Sequence, residues 1–168
     1  RQIEEYRSED TLLLDPATLR NLEIFRTSSN QRKGSLLDTM DETVTAGGAR
    51  LLEDFLARPA MDLDEIRRRQ QCVKNFHGNV RLAEQIRDRL RSINDLERIL
   101  GRLRNRMARP RELGGIVGAL RTLPDLKGLF ADQADLEVAK VSDRLGTFDD
   151  LRDLLNRGLA EDLPADLR

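Results

Sequence analysis

The stretch Asn94-Asp95-Leu96-Glu97-Arg98-Ile99-Leu100-Gly101-Arg102-Leu103-Arg104-Asn105-Arg106-Met107-Ala108-Arg109-Pro110-Arg111 decides the fold. Asn94 and Glu97 have capping-box spacing, in which a side-chain oxygen takes an orphan helix N–H and an acid three residues on reaches back. Leu96, Ile99, Leu100 and Leu103 then recur with helical period, predicting an amphipathic helix with all four inward. Pro110 suits the first turn of another helix, because its fixed φ fits there and its missing N–H would have no partner anyway. Leu113, Ile116, Val117 and Leu120 form that helix's inner stripe. Two successive helices are the expected unit, with the arginine run largely on the solvent side of the first.

The same pattern extends in both directions. Upstream, Thr45 is a candidate N-cap for a helix with Leu51, Leu52, Phe55 and Leu56 on one face, stopped at Arg58-Pro59. Asp62 and Glu65 suit a capping box for the next helix, which carries Leu63, Ile66, Cys72 and Val73. Asn79 caps a helix with Leu82, Ile86, Leu90 and Ile93 inward. Downstream, Pro124, Thr147 and Pro164 are breaks. Val138, Val141 and Leu145 form one late helix, and Phe148, Leu151, Leu154 and Leu155 another. Near the N-terminus, Thr11-Leu12-Leu13-Leu14 and Leu22-Glu23-Ile24-Phe25 could each be a short strand around a helical turn at Asp15-Pro16-Ala17-Thr18, and Ser28 to Gly34 is a polar loop. The expected fold is mainly α and multi-helical, with a short β element near the N-terminus.

Charge singles out one region. Arg98 to Arg111 holds six arginines and no acid, inside a chain whose net charge is only −1. Arg98, Arg102 and Arg106 are spaced i, i+4, i+8, one stripe of a continuous helix. With Arg109 and Arg111 they are the candidate contacts to DNA or to a neighbouring domain. Lysine and arginine meeting phosphates would give salt-dependent binding. Packed against acids, the same residues would instead hold neighbouring elements, and this is the favoured reading; composition does not choose. Acids gather later, from Asp132 to Asp166. Aromatics are few, with five Phe, one Tyr and no Trp, which argues against base-stacking platforms. Phe55, Phe76 and Phe148 are all expected at buried helical positions.

Length and composition limit the rest. A chain of 168 residues can bury one sizeable core. No apolar run approaches the about 20 residues of a membrane span. Cys72 has no partner for an intrachain disulfide, suits a reducing cytosol, and reads as a core filler, since the single His77, five residues on, falls on a different helix face. The phosphate-loop and dinucleotide patterns are absent. One His and one Cys cannot make a zinc site of usual spacing. Gly47-Gly48 and Gly114-Gly115 read as close helix packing. No nucleophile, base and orienter can be assembled, so this chain is not expected to be an enzyme by itself.

Five words occur in a fixed order. They are Leu14-Asp15-Pro16-Ala17-Thr18-Leu19-Arg20-Asn21-Leu22-Glu23; Gly34-Ser35-Leu36-Leu37-Asp38; Asp41-Glu42-Thr43-Val44-Thr45-Ala46-Gly47-Gly48-Ala49-Arg50-Leu51-Leu52; Asp95-Leu96-Glu97-Arg98-Ile99-Leu100; and Ala108-Arg109-Pro110-Arg111-Glu112-Leu113. Together, over about Leu14 to Leu123, they resemble the core (lever) domain of the MutS family of DNA mismatch-recognition proteins. From Lys127 onward the likeness is one of helical patterning. Each word also reads as folding chemistry: Asp15 caps, Pro16 fits a first turn, Leu22 enters the core, Thr45 caps, and Arg50 reaches a neighbouring carboxylate.

The resemblance implies a role. Residues 1–168 would be the first core segment, ending before the clamp is inserted, with the mismatch-binding, clamp and ATPase domains absent. It implies a non-catalytic hub relaying nucleotide state to the DNA-gripping end of a DNA-dependent ATPase. No cofactor would sit here; ATP and Mg would belong to the parent's absent ATPase domain. The parent's partners would be mismatched double-stranded DNA, its other domains and a second copy, with no membrane, in a bacterial cytoplasm at the nucleoid. An autonomous helical DNA-binding or protein-interaction module is the alternative, as is the core of a related protein of recombination or ribosome rescue.

Overall fold

A computed structural model describes residues 11–131, 133, 136–160 and 164. Among these, nine helices follow one another: α1 (Pro16–Asn21), α2 (Leu36–Met40), α3 (Ala46–Ala57), α4 (Leu63–Gly78), α5 (Val80–Arg91), α6 (Leu96–Arg104), α7 (Pro110–Ala131), α8 (Leu136–Arg144) and α9 (Asp149–Gly158). Contacts divide the chain into two compact units, Arg1–Val73 and Lys74–Arg168. Asp132, Asp135 and Asp166, part of the late acidic cluster, lie outside the described residues. Among the described residues, no helix is long and apolar enough to cross a membrane.

In the first unit, Asp15 caps α1 by accepting the Thr18 N–H at 2.7 Å, and Pro16 opens the helix. The helix ends in a Schellman motif: the N–H of Ile24 reaches Leu19 O at 3.1 Å and that of Glu23 reaches Arg20 O at 3.0 Å. Glu23 sits at φ +51, where glycine is the usual occupant. That left-handed step corrects two expectations. Leu22 faces solvent, 59% exposed, while Ile24 enters the core instead. Leu22 to Phe25 is a turn rather than a strand. The extended segment at Thr11 makes only an isolated antiparallel bridge to Ala60, so no strand forms among the described residues.

After the polar loop, Gly34 at φ +89 turns the chain into α2. Ser35, fully buried, accepts the Asp38 N–H, and Asp38 reciprocates by accepting the Gly34 N–H at 2.9 Å. Thr45 caps α3 through the Gly48 N–H at 3.0 Å, as its spacing predicts. Asp62 accepts the N–H groups of Asp64 and Glu65 at the start of α4. The expected capping box is incomplete, because the Glu65 side chain turns forward to Arg68 and Arg69. Leu51, Leu63 and Val73, expected inward, are exposed, whereas Ile66 and Cys72 are half-buried.

In the second unit α7 is the shared partner of α5, α6, α8 and α9. Asn79 caps α5 through the Leu82 N–H at 3.2 Å, and Leu82 and Ile86 meet Leu126 of α7 in one apolar cluster. Ile99 of α6 meets Ile116 and Leu120 in a second, with Leu155 of α9 against it. Polar contacts fix the same arrangement: Ser142 Oγ donates to Lys127 O at 3.1 Å, and Arg121 donates to Asn156 at 2.7 Å.

Pro124 does not end a helix; α7 runs through it. Proline removes one helix hydrogen bond, but Leu120 and Leu126, on either side, are each locked into one of the two clusters. α9 departs further from the expected pattern. Only Leu155 packs inward; Leu151 and Leu154 are exposed, and so is Val141 of α8. Phe148, expected in the core, is 57% exposed and left-handed at φ +50, just before α9.

Candidate nucleic-acid or interdomain surface

The arginine run lies on the α6–α7 hairpin. Asp95, not Asn94, caps α6, accepting the Arg98 N–H at 3.2 Å. The cap thus sits one residue later than expected. Asn94 lies instead against α7: a Cβ built at Gly115 would be 2.6 Å from its Nδ2, so the glycine allows this close approach. Gly47, by contrast, has open space where a Cβ would be.

Only Ile99 of the four expected inward residues is fully buried, at 3%. Leu96 is half-buried against the same cluster, while Leu100 and Leu103 face outward, at 53% and 44%. Among the described residues, the helix packed closely on α6 is α7, so one face of α6 is enclosed while the apolar turn at Leu100 and Leu103 is exposed.

The predicted three-residue arginine stripe is interrupted. α6 ends at Arg104, and Arg106 is left-handed at φ +57. The end is a second Schellman motif: Met107 N–H bonds Arg102 O at 2.8 Å and Arg106 N–H bonds Leu103 O at 2.9 Å. Arg98 and Arg102 therefore remain one turn apart on the helix, while Arg106 occupies the turn. Arg109 and Arg111 flank Pro110 at the start of α7 with exposed side chains.

Arg102 is held in place from two sides. Its Nη2 donates to Met107 O at 2.9 Å, and its Nε lies 3.0 Å from Glu112 Oε2, as a close ion contact rather than an aligned hydrogen bond. The same Glu112 oxygen accepts the Arg109 N–H at 2.8 Å. That backbone N–H, with the positive charges of Arg102 and Arg98, holds the Glu112 carboxyl below the ordinary carboxylate range. Glu112 is thus the centre of the hairpin, and it was not among the candidate residues. The available signal was its place three residues after Arg109 in Ala108-Arg109-Pro110-Arg111-Glu112-Leu113, from which a carboxylate reaches back to a helix-starting N–H.

The geometry joins two helix ends and leaves a positive edge at Arg98, Arg104 and Arg106, all exposed. Among the described residues no three His, Cys, Asp or Glu side chains converge to hold a metal. The fold and hairpin define a multi-helical domain in which charged side chains fasten helix to helix.

Residues 17–168 match MutS domain III, and the chain belongs to that family. It is similar to the DNA mismatch repair protein MutS of Lachnoclostridium phytofermentans, 34% identical over 167 residues, covering 99% of this chain and 18% of that protein. The DNA mismatch repair protein MutS of Symbiobacterium thermophilum is 37% identical over 163 residues, covering 96% and 19%. That of Methanothrix thermoacetophila is 37% identical over 164 residues, again covering 96% and 19%. The chain thus spans less than a fifth of the length of these relatives.

Proposed function

We propose that this chain is the first core segment of a MutS-type mismatch repair protein, preceding the clamp, and that it works as a non-catalytic lever. In this reading the parent binds mismatched double-stranded DNA, acts as a homodimer in the cytoplasm at the nucleoid, and hydrolyses ATP with Mg in a separate ATPase domain. The segment would pass nucleotide state to the DNA clamp. The observation that carries the reading is the match to MutS domain III along residues 17–168, together with relatives that are DNA mismatch repair proteins. The clasped hairpin supports it: a relay needs helices that move as a body, and Glu112 fastens the last turn of α6 to the first of α7. The exposed arginines Arg98, Arg104, Arg106, Arg109 and Arg111 would face a sister domain or the DNA backbone, while Arg102 is engaged in the clasp.

Fluorescence anisotropy with matched and mismatched duplexes, at low and moderate salt, tests the assignment of recognition to other domains. The expected result is feeble binding that weakens with salt and ignores the mismatch. Tight binding, or preference for the mismatch, would overturn it and favour an autonomous DNA-binding module. The same titration with Arg98, Arg104 and Arg106 replaced by Gln measures their share of any salt-dependent contact.

A further inference from the structure

Within the first unit, α3 and α4 meet at a corner formed by Arg58, Pro59 and Ala60, and the two helices are not closely packed backbone to backbone. The corner itself is pinned. Leu12 N–H donates to Pro59 O at 2.8 Å, and Ala60 forms the antiparallel bridge with Thr11. About one turn before the corner on α3 stands Phe55. Facing it from α4 is Arg69, whose guanidinium carbon lies 3.6 Å from the centre of the Phe55 ring.

That contact is prepared from beneath. Glu65, one turn earlier on α4, accepts from Arg69 Nε at 2.6 Å, which orients the flat guanidinium. The other carboxylate oxygen takes Arg68 Nε at 2.7 Å, while Arg68 Nη2 also reaches Oε1 at 2.8 Å. A planar, delocalised cation held edge-on by a carboxylate is free to lay its face on a ring, which a lysine ammonium cannot do. Glu65 is therefore committed within α4, and Arg69 carries its guanidinium across to the Phe55 ring of α3.

We propose that the Arg58–Ala60 corner is a hinge and that Arg69 stacked on Phe55, steadied by Glu65, is the latch that fixes the α3–α4 angle. A pinned corner with little backbone packing beyond it leaves the angle to side chains, and this stack bridges the two helices. The latch concerns the chain's own geometry and stands or falls apart from any relay of nucleotide state.

The test is a distance distribution by double electron–electron resonance on the 168-residue chain. Spin labels are placed at Gly47→Cys on α3, where a Cβ meets nothing within 4 Å, and at exposed Gln70→Cys on α4, in a Cys72→Ser background. The latched chain gives one narrow distribution. Arg69→Ala broadens it about twofold or shifts it, and Arg69→Lys does so nearly as much, because the planar stack is lost. If circular dichroism shows that Arg69→Ala loses helix content, Phe55→Leu decides, since it keeps an apolar side chain and removes the ring face. An unchanged distribution in folded Arg69→Ala or Phe55→Leu overturns the latch. A narrow distribution lost only on Arg69 or Phe55 substitution, in a chain whose parent shows no response to nucleotide, keeps the hinge and rejects the relay.

Discussion

Arg102 Nε lies 3.0 Å from Glu112 Oε2, and through this pair the last turn of α6 is joined to the first turn of α7. Glu112 also accepts the Arg109 N–H, so one acid serves two helix ends. Replacing it separates these roles. Glu112→Gln keeps a carbonyl oxygen for the N–H and loses the charge, whereas Glu112→Ala loses both. Urea midpoints should fall in the order native, Gln, Ala. Because the native carboxyl is held below its ordinary range, its contribution is complete above the unfolded carboxylate pKa and disappears as pH falls through the lowered folded value. Equal midpoints for all three proteins at pH 7 would show that the clasp is ornamental.

Arg106 occupies a left-handed position that suits glycine. Arg106→Gly should therefore stabilise the chain by about 0.5–1 kcal/mol, the relief of a strained φ less the added freedom of the unfolded chain. Thermal melts read this as a rise of about 1–4 °C. A fall would mean that the arginine side chain holds the turn more strongly than its backbone strains it.

The two neighbouring residues Ile99 and Leu100 differ only in the direction they face. Ile99→Ala should cost about 2–4 kcal/mol, because the cavity lies between α6 and α7. Leu100→Ala, at an exposed position, should change stability by about 0.5 kcal/mol or less. A comparable loss at Leu100 in the isolated chain, measured by chemical denaturation, would place it in a packed interface.

Glu65 gives a separate pH signature. Hydrogen bonds from Arg68 and then Arg69 lower its carboxyl to about 2. Its folded pKa is below the unfolded one, so its stabilisation is full above the ordinary carboxylate range and is lost as pH drops toward about 2. Allowing for its partly exposed surroundings, Glu65→Gln should cost about 1 kcal/mol at pH 7. The difference between native and variant should shrink steadily below pH 4.5, the group's ordinary value. A constant difference down to pH 3 would assign the effect to packing.

Legibility in the sequence followed the reach of each interaction. Asp15, Thr45, Asp62 and Asn79 announce helix starts through bonds spanning two to three residues, Pro110 does so through its fixed φ, and the structure bears them out. The family words carry their own folding chemistry, which is why the mainly helical fold was readable. Two classes of feature were not. Helix ends at Glu23 and Arg106 use left-handed residues that are not glycine, so nothing in the letters marks the turn. The resulting change of direction exposed Leu22 and took Arg106 out of the stripe. Amphipathic spacing also names an apolar face without naming its cover; Leu100, Leu151 and Leu154 have the period of core residues and lie in the open. The arginine run was visible as charge, yet its organiser, Glu112, was legible only as the last acid of a capping pattern.

The position of α7 has a consequence for how the second unit is made. Its neighbours α5 and α6 precede it in the chain and α8 and α9 follow. On the ribosome, then, the two earlier helices emerge before their shared partner, and Leu82 and Ile86 lack the Leu126 side of their cluster until that residue has left the exit tunnel. Once it has, each later helix finds a finished surface and docks in the order of synthesis. The middle of this unit, rather than its last helix, is the point at which it commits to its shape.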